Sequence, residues 1–177
     1  MTNIVNLITL IRIVFAPLIL LFLFFENYLL CISLFFIAGL TDYFDGYLAR
    51  KYSAESLLGE ILDPIADKII VVFLLIGLSV QLNSNLIAFL SSLIIAREIG
   101  VAALRDFAAR NNLSDRTKVT FLSKTKTAIQ LSTIGLYLIA LSFKLNLLIV
   151  ISDIFLIIAT MITLYTGLQY AFNLFKK

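Results

Sequence analysis

Apolar runs long enough to cross ~30 Å of hydrocarbon recur about six times in this chain, and no other feature constrains its fold as tightly. They lie near residues 4–25, 28–49, 60–80, 85–105, 123–143 and 147–171. Backbone placed in lipid has no water to bond, so each run must close its own hydrogen bonds as a helix. The alternation of barrel strands is absent. Turn-forming residues separate the runs at FENY, KYSAES, QLNSN, RNNLSDRTK and FKLN. Composition agrees: 61% of residues are hydrophobic and 14% charged, with a mean hydropathy of +1.04, outside soluble norms. No linker-like tract divides the chain. The expectation is an all-α integral membrane protein with six transmembrane helices, forming one domain over residues 1–177. Its first run carries Arg12 and lacks a basic front, so it reads as a retained helix, not a cleaved signal.

Charge sets the orientation. With a cytoplasmic N-terminus and six crossings, Arg50, Lys51, Arg105, Arg110, Arg116, Lys118, Lys124, Lys126, Lys176 and Lys177 lie at or near the inner face. The outer connections carry only Lys144, as the positive-inside rule requires. Both termini are then cytoplasmic. No nucleic-acid partner is expected; the partners are membrane lipids.

Against this background four aspartates stand out in GLTDYFDGYLARKYSAESLLGEILDPIADK, residues 39–68. Asp42 and Asp45 are three residues apart, Asp63 and Asp67 four apart, so each pair shares one helix face. The KYSAES connection is short enough to make the second and third helices antiparallel neighbours with their acidic faces meeting. Carboxylates gathered at low dielectric repel one another, and divalent cations relieve that repulsion. The chain has no His, and its single Cys31 lies in an apolar run, so metal ligands must be oxygens, favouring Mg²⁺ or Mn²⁺ over zinc. Charges at helix ends that simply reach water are the plainer alternative. Four at matched spacing, with small residues Gly46, Ala49 and Gly59 among them, favour a site. A cation channel or transporter would also use such a cluster, but the outer halves of these helices offer it no polar path.

The run Asp42-x2-Asp45-Gly46-x2-Ala49-Arg50-x8-Gly59-x3-Asp63-x3-Asp67 resembles, without departure, the signature of the CDP-alcohol phosphatidyltransferase family. The resemblance implies six membrane helices, two divalent cations (Mg²⁺ or Mn²⁺) held by Asp42, Asp45, Asp63 and Asp67, and attack of a hydroxyl on a CDP-linked lipid with release of CMP. It gives Asp67 the further role of general base. Asn6, Thr9, Asp42, Asp45, Gly46, Ala49, Arg50 and Gly59 would bind CDP-diacylglycerol. It also implies a homodimer in the bacterial inner (cytoplasmic) membrane, with the active site facing the cytoplasm.

Further blocks are similar to the phosphatidylglycerophosphate synthase branch. Asn6, Thr9 and Arg12 form a polar stripe on the first helix, with Val5 where that branch has proline. The plainer alternative has Arg12 reaching out to headgroups. AREIGVAALR supplies Arg97, Glu98 and Arg105; SKTKTAIQ supplies Lys124, Lys126, Thr127 and Gln130, with Ser123 in place of glycine. The branch implies glycerol 3-phosphate as acceptor, its phosphate held by Arg105 and Lys124 with Lys126 and Arg97 in support. A cardiolipin-, serine- or inositol-phosphate-type acceptor is the alternative within the family, and Arg97 pairing with Glu98 inside the bundle is the alternative for that arginine. Asp153, early in the sixth helix, has no role in this scheme beyond a polar partner across helices or at a dimer interface.

Overall fold

The structure is a computed structural model that describes the backbone of residues 2–52, 57–111, 113 and 121–175. Side chains are described at 9–41, 62, 65–111, 113 and 125–175. Six helices account for all the regular structure among the described residues: α1 (Thr2–Phe24), α2 (Tyr28–Tyr52), α3 (Leu57–Gln81), α4 (Asn85–Arg110), α5 (Phe121–Phe143) and α6 (Asn146–Phe175). Each expected run is a helix. Several extend beyond the apolar window: α4 runs to Arg110 through Ala108, Ala109 and Arg110, which are good helix formers, and α6 runs to Phe175. Three of the described helices are long and apolar enough to cross a membrane: Asn85–Arg110, Thr125–Phe143 and Asn146–Phe175. The apolar stretches Thr9–Phe24 and Tyr28–Thr41 are the parts of α1 and α2 with described side chains, in helices of 23 and 25 residues.

Three hairpin turns, α1–α2, α3–α4 and α5–α6, are built alike. Each places one non-glycine residue in the left-handed region: Glu26 at φ 57°, Asn83 at φ 46° and Lys144 at φ 53°. The next amide then bonds back to a carbonyl five residues earlier: Asn27 to Phe22 at 3.0 Å, Ser84 to Ser79 at 3.1 Å and Leu145 to Ala140 at 2.9 Å. These bonds satisfy carbonyls that the helix ends would otherwise leave open. Ser84 also caps α4, its hydroxyl accepting from the Ile87 amide at 3.3 Å. The three turns share one end of the bundle, opposite the end where α1, α3 and α5 begin.

In space the helices form a closed ring in the order α1–α3–α4–α6–α5–α2, with α3 also touching α5 across the middle. Among the described residues α2 and α3 do not approach within 8 Å between Cα atoms, because α1 packs against both; the expected meeting of their acidic faces, at Asp42, Asp45 and Asp63, lies outside the described residues. Ala16, Ile19 and Leu23 of α1 are fully buried beside Leu74, Leu75 and Leu78 of α3. Gly77 permits that approach, since a methyl there would meet Leu23 Cδ2 at 2.9 Å. Ile87 and Ile94 of α4, Ile134 and Leu138 of α5 and Leu156 of α6 complete the core. The perimeter is apolar too: Phe25, Phe89, Leu147, Met161 and Phe172 are all exposed. Water penalises such a belt and lipid does not. Asp153 finds its partner across helices, accepting from the Tyr137 hydroxyl of α5 at 2.5 Å.

Candidate functional site

The α3–α5 contact divides the ring into two compartments of opposite character. One, about 370 Å³, is enclosed by α3, α4 and α5 and lined by Asp67, Lys68, Arg97, Glu98, Arg105 and Lys126 among apolar neighbours. The other, about 500 Å³, lies among α1, α2, α3 and α5 and is lined mainly by Phe35, Phe36, Leu40, Leu131, Leu136 and Ile139. Asp67 lines both. Its position ten residues into α3 puts it roughly 15 Å from the end where that helix begins.

Asp67 is held by Arg12 of α1, whose Nη1 donates to Oδ1 at 3.3 Å. The Arg12 side chain is 1% exposed and that of Asp67 41%, so the arginine is sealed in while the carboxylate faces open space. Arg12 therefore does not reach out to headgroups. Thr9, one helical turn before it, is buried on the same stripe.

In the polar compartment Glu98 is the hub. Its Oε1 accepts from Arg97 Nη1 at 3.0 Å and from Lys126 Nζ, drawing α4 and α5 together. Arg97 Nη2 donates in turn to Thr166 Oγ1 of α6 at 2.9 Å. The alternative that Arg97 and Glu98 pair inside the bundle is thus what the structure has. Arg105 stands apart: its Nε donates to the Tyr170 hydroxyl at 3.1 Å, and its guanidinium carbon lies 5.4 Å from that ring's centre. Among the described residues neither Arg105 nor Lys68 has a carboxylate within 4.0 Å. Four basic side chains face two acidic ones in this wall, an excess of two positive charges suited to an anion such as a phosphate monoester.

Of the residues expected at a site, Asp67, Arg97, Arg105 and Lys126 meet in this compartment, and Thr9 lies buried on α1. The side chains of Asn6, Asp42, Asp45, Gly46, Ala49, Arg50, Gly59, Asp63 and Lys124 lie outside the described residues. Their backbone is helical, in α1, α2, α3 and α5, and falls toward the same end of the bundle. Lys68 was missed, although a lysine inside an apolar helix is itself a signal. Thr166, Gly167 and Tyr170 were missed as well; their trace is a polar stripe at helical spacing along an otherwise oily α6.

Fold and site together define an all-helical membrane protein with an ionic chamber enclosed between its helices and an apolar groove beside it. The family model described as CDP-alcohol phosphatidyltransferase matches residues 2–166. Relatives extend the match. The protein named CDP-diacylglycerol–glycerol-3-phosphate 3-phosphatidyltransferase in Blochmanniella floridana is 38% identical over 175 residues, covering 97% of this chain and 90% of that one. Its namesake in Rickettsia typhi is 37% identical over 174 residues, 96% of each chain. The namesake in Wigglesworthia glossinidia brevipalpis is 40% identical over 135 residues, 75% of this chain and 74% of that one. The chain belongs to the CDP-alcohol phosphatidyltransferase family.

Proposed function

We propose that this protein transfers the phosphatidyl group of CDP-diacylglycerol to glycerol 3-phosphate, giving phosphatidylglycerophosphate and CMP. The observation that carries this reading is the position of Asp67, at the junction of a cationic chamber and an apolar groove. A reaction between a lipid and a water-soluble anion needs those two surfaces to meet at one reactive group. The groove between α2 and α5 takes acyl chain; the chamber takes the acceptor, its phosphate drawn to Arg105 and Lys68, with Lys124 and Lys126 at the start of α5. The names of the relatives describe the same reaction.

In the proposed chemistry Asp67 accepts the proton of the acceptor's C1 hydroxyl. The freed oxygen attacks the phosphorus that bears diacylglycerol, the bond to the CMP oxygen breaks, and CMP leaves. Arg12 orients the Asp67 carboxylate from the groove side. A chain without His, offering an accessible carboxylate at the junction, suits hard cations. Two divalent cations, Mg²⁺ or Mn²⁺, held by Asp42, Asp45, Asp63 and Asp67, would neutralise the pyrophosphate and the charge gathering on CMP.

The proposal includes the setting: one domain of six membrane-spanning helices, a homodimer in the bacterial inner membrane, both termini and the chamber on the cytoplasmic side. Basic residues at the chamber end, against Lys144 alone at the three-turn end, support that orientation. The test is CMP release by purified protein with Mg²⁺ or Mn²⁺, CDP-diacylglycerol and a panel of acceptors. Release should depend on glycerol 3-phosphate; release that needs serine or phosphatidylglycerol instead would sink the substrate assignment. Asp67→Asn should abolish turnover while retaining CDP-lipid binding, and near-normal activity would remove it as the base.

A further inference from the structure

Helix α6 supplies no side chain to the chamber wall, yet three polar side chains in that wall are hydrogen-bonded to it. Gln130 Nε2 donates to Thr163 Oγ1 at 2.9 Å, Arg97 Nη2 to Thr166 Oγ1 at 2.9 Å, and Arg105 Nε to the Tyr170 hydroxyl at 3.1 Å. Thr163, Thr166, Gly167 and Tyr170 fall on one buried face of α6. Thr166 passes its own proton to the Ile162 carbonyl at 2.9 Å, which leaves its oxygen to receive Arg97. Gly167 completes the cradle. A methyl there would meet Arg97 Cγ at 2.8 Å, so the arginine shaft lies directly on the helix backbone.

This face treats the two arginines differently. Both terminal nitrogens of Arg97 already make hydrogen bonds, to Glu98 and to Thr166. Arg105 is engaged at Nε, on the inner edge of its fork, and by the ring of Tyr170. Its terminal nitrogens make no hydrogen bond among the described residues, and two such groups suit two oxygens of one phosphate. Resting on the acceptor reading above, we propose that Tyr170 is a positioning residue that fixes Arg105 for the acceptor's phosphate. Arg97 holds the chamber together instead of binding its occupant.

The experiment is a double-mutant cycle in the purified enzyme. Tyr170→Phe keeps the ring and removes one hydrogen bond to a charged group, so the KM for glycerol 3-phosphate should rise about tenfold. The KM for CDP-diacylglycerol and the melting temperature should hold nearly constant. On an Arg105→Ala background the same substitution should change the acceptor KM by less than about twofold. Calorimetric titration of glycerol 3-phosphate supplies the same cycle if that background turns over too slowly. Equal effects on both substrates, or effects that multiply across the cycle, overturn the role. Wild-type turnover tests the underlying reading separately: if another phosphorylated acceptor is required, the cycle is run with that compound. A requirement for an acceptor without phosphate overturns both.

Discussion

Glu98→Gln tests whether the chamber is held by charge. In the wild type one carboxylate oxygen accepts from Arg97 at 3.0 Å and from Lys126, with side-chain exposures of 13% for Glu98 and 6% for Arg97. Glutamine keeps the shape and an acceptor oxygen but removes the negative charge, leaving two cations buried side by side. Removing one partner of a buried ion pair costs about 3–5 kcal/mol, and the retained amide oxygen places the expected loss near the lower value. Lys126→Met added to Glu98→Gln should recover about 1–2 kcal/mol, since it removes a cation that no longer has a counter-charge. Reversible unfolding of the purified protein in mixed micelles, without substrates, reads both. Asp106→Asn is the internal control. That carboxylate pairs with Arg110 at 2.8 Å, but the two side chains are 60% and 77% exposed, so its loss should cost under about 0.5 kcal/mol. A loss below about 1 kcal/mol for Glu98→Gln, or strict additivity with Lys126→Met, would refute the reasoning.

Lys68→Met should raise the acceptor KM at least about fivefold and leave that of CDP-diacylglycerol unchanged, read by CMP release; an unaltered acceptor KM removes Lys68 from the phosphate site. Tyr137→Phe deprives Asp153 of its hydroxyl partner between α5 and α6 and should lower stability by about 1–3 kcal/mol without moving either KM; full stability would show the contact to be idle. Lys144→Gly relieves a left-handed residue at the α5–α6 turn and should stabilise by up to about 1 kcal/mol, visible as a higher unfolding midpoint; a lower one would mean that the lysine side chain has a role of its own.

What could be read in advance divides along a physical line. Helices and turns are local consequences of the chain: apolar runs in lipid must be helical, and a short polar break must turn, so all six elements follow from the residues within them. Spacing along a helix is local as well, which is why Thr9 and Arg12 emerge on one stripe. Ring order is not local. In water an amphipathic face declares which side of a helix is inside, but here both faces are apolar, and packing turns on close approach. Along the described residues α1 separates α2 from α3 partly because Gly77 admits Leu23, a condition involving residues more than fifty positions apart. The same limit governed the site. Arg97 and Arg105 come from the resemblance carried by AREIGVAALR, yet their different duties depend on Thr166 and Tyr170, 69 and 65 residues away. Lys68 lay within reach of the rule that singled out the aspartates, since it is an ionisable residue in an apolar helix beside one of them. A polar stripe on a transmembrane helix therefore marks an address for side chains on other helices, and Thr163, Thr166 and Tyr170 serve Gln130, Arg97 and Arg105 in that way without entering the chamber.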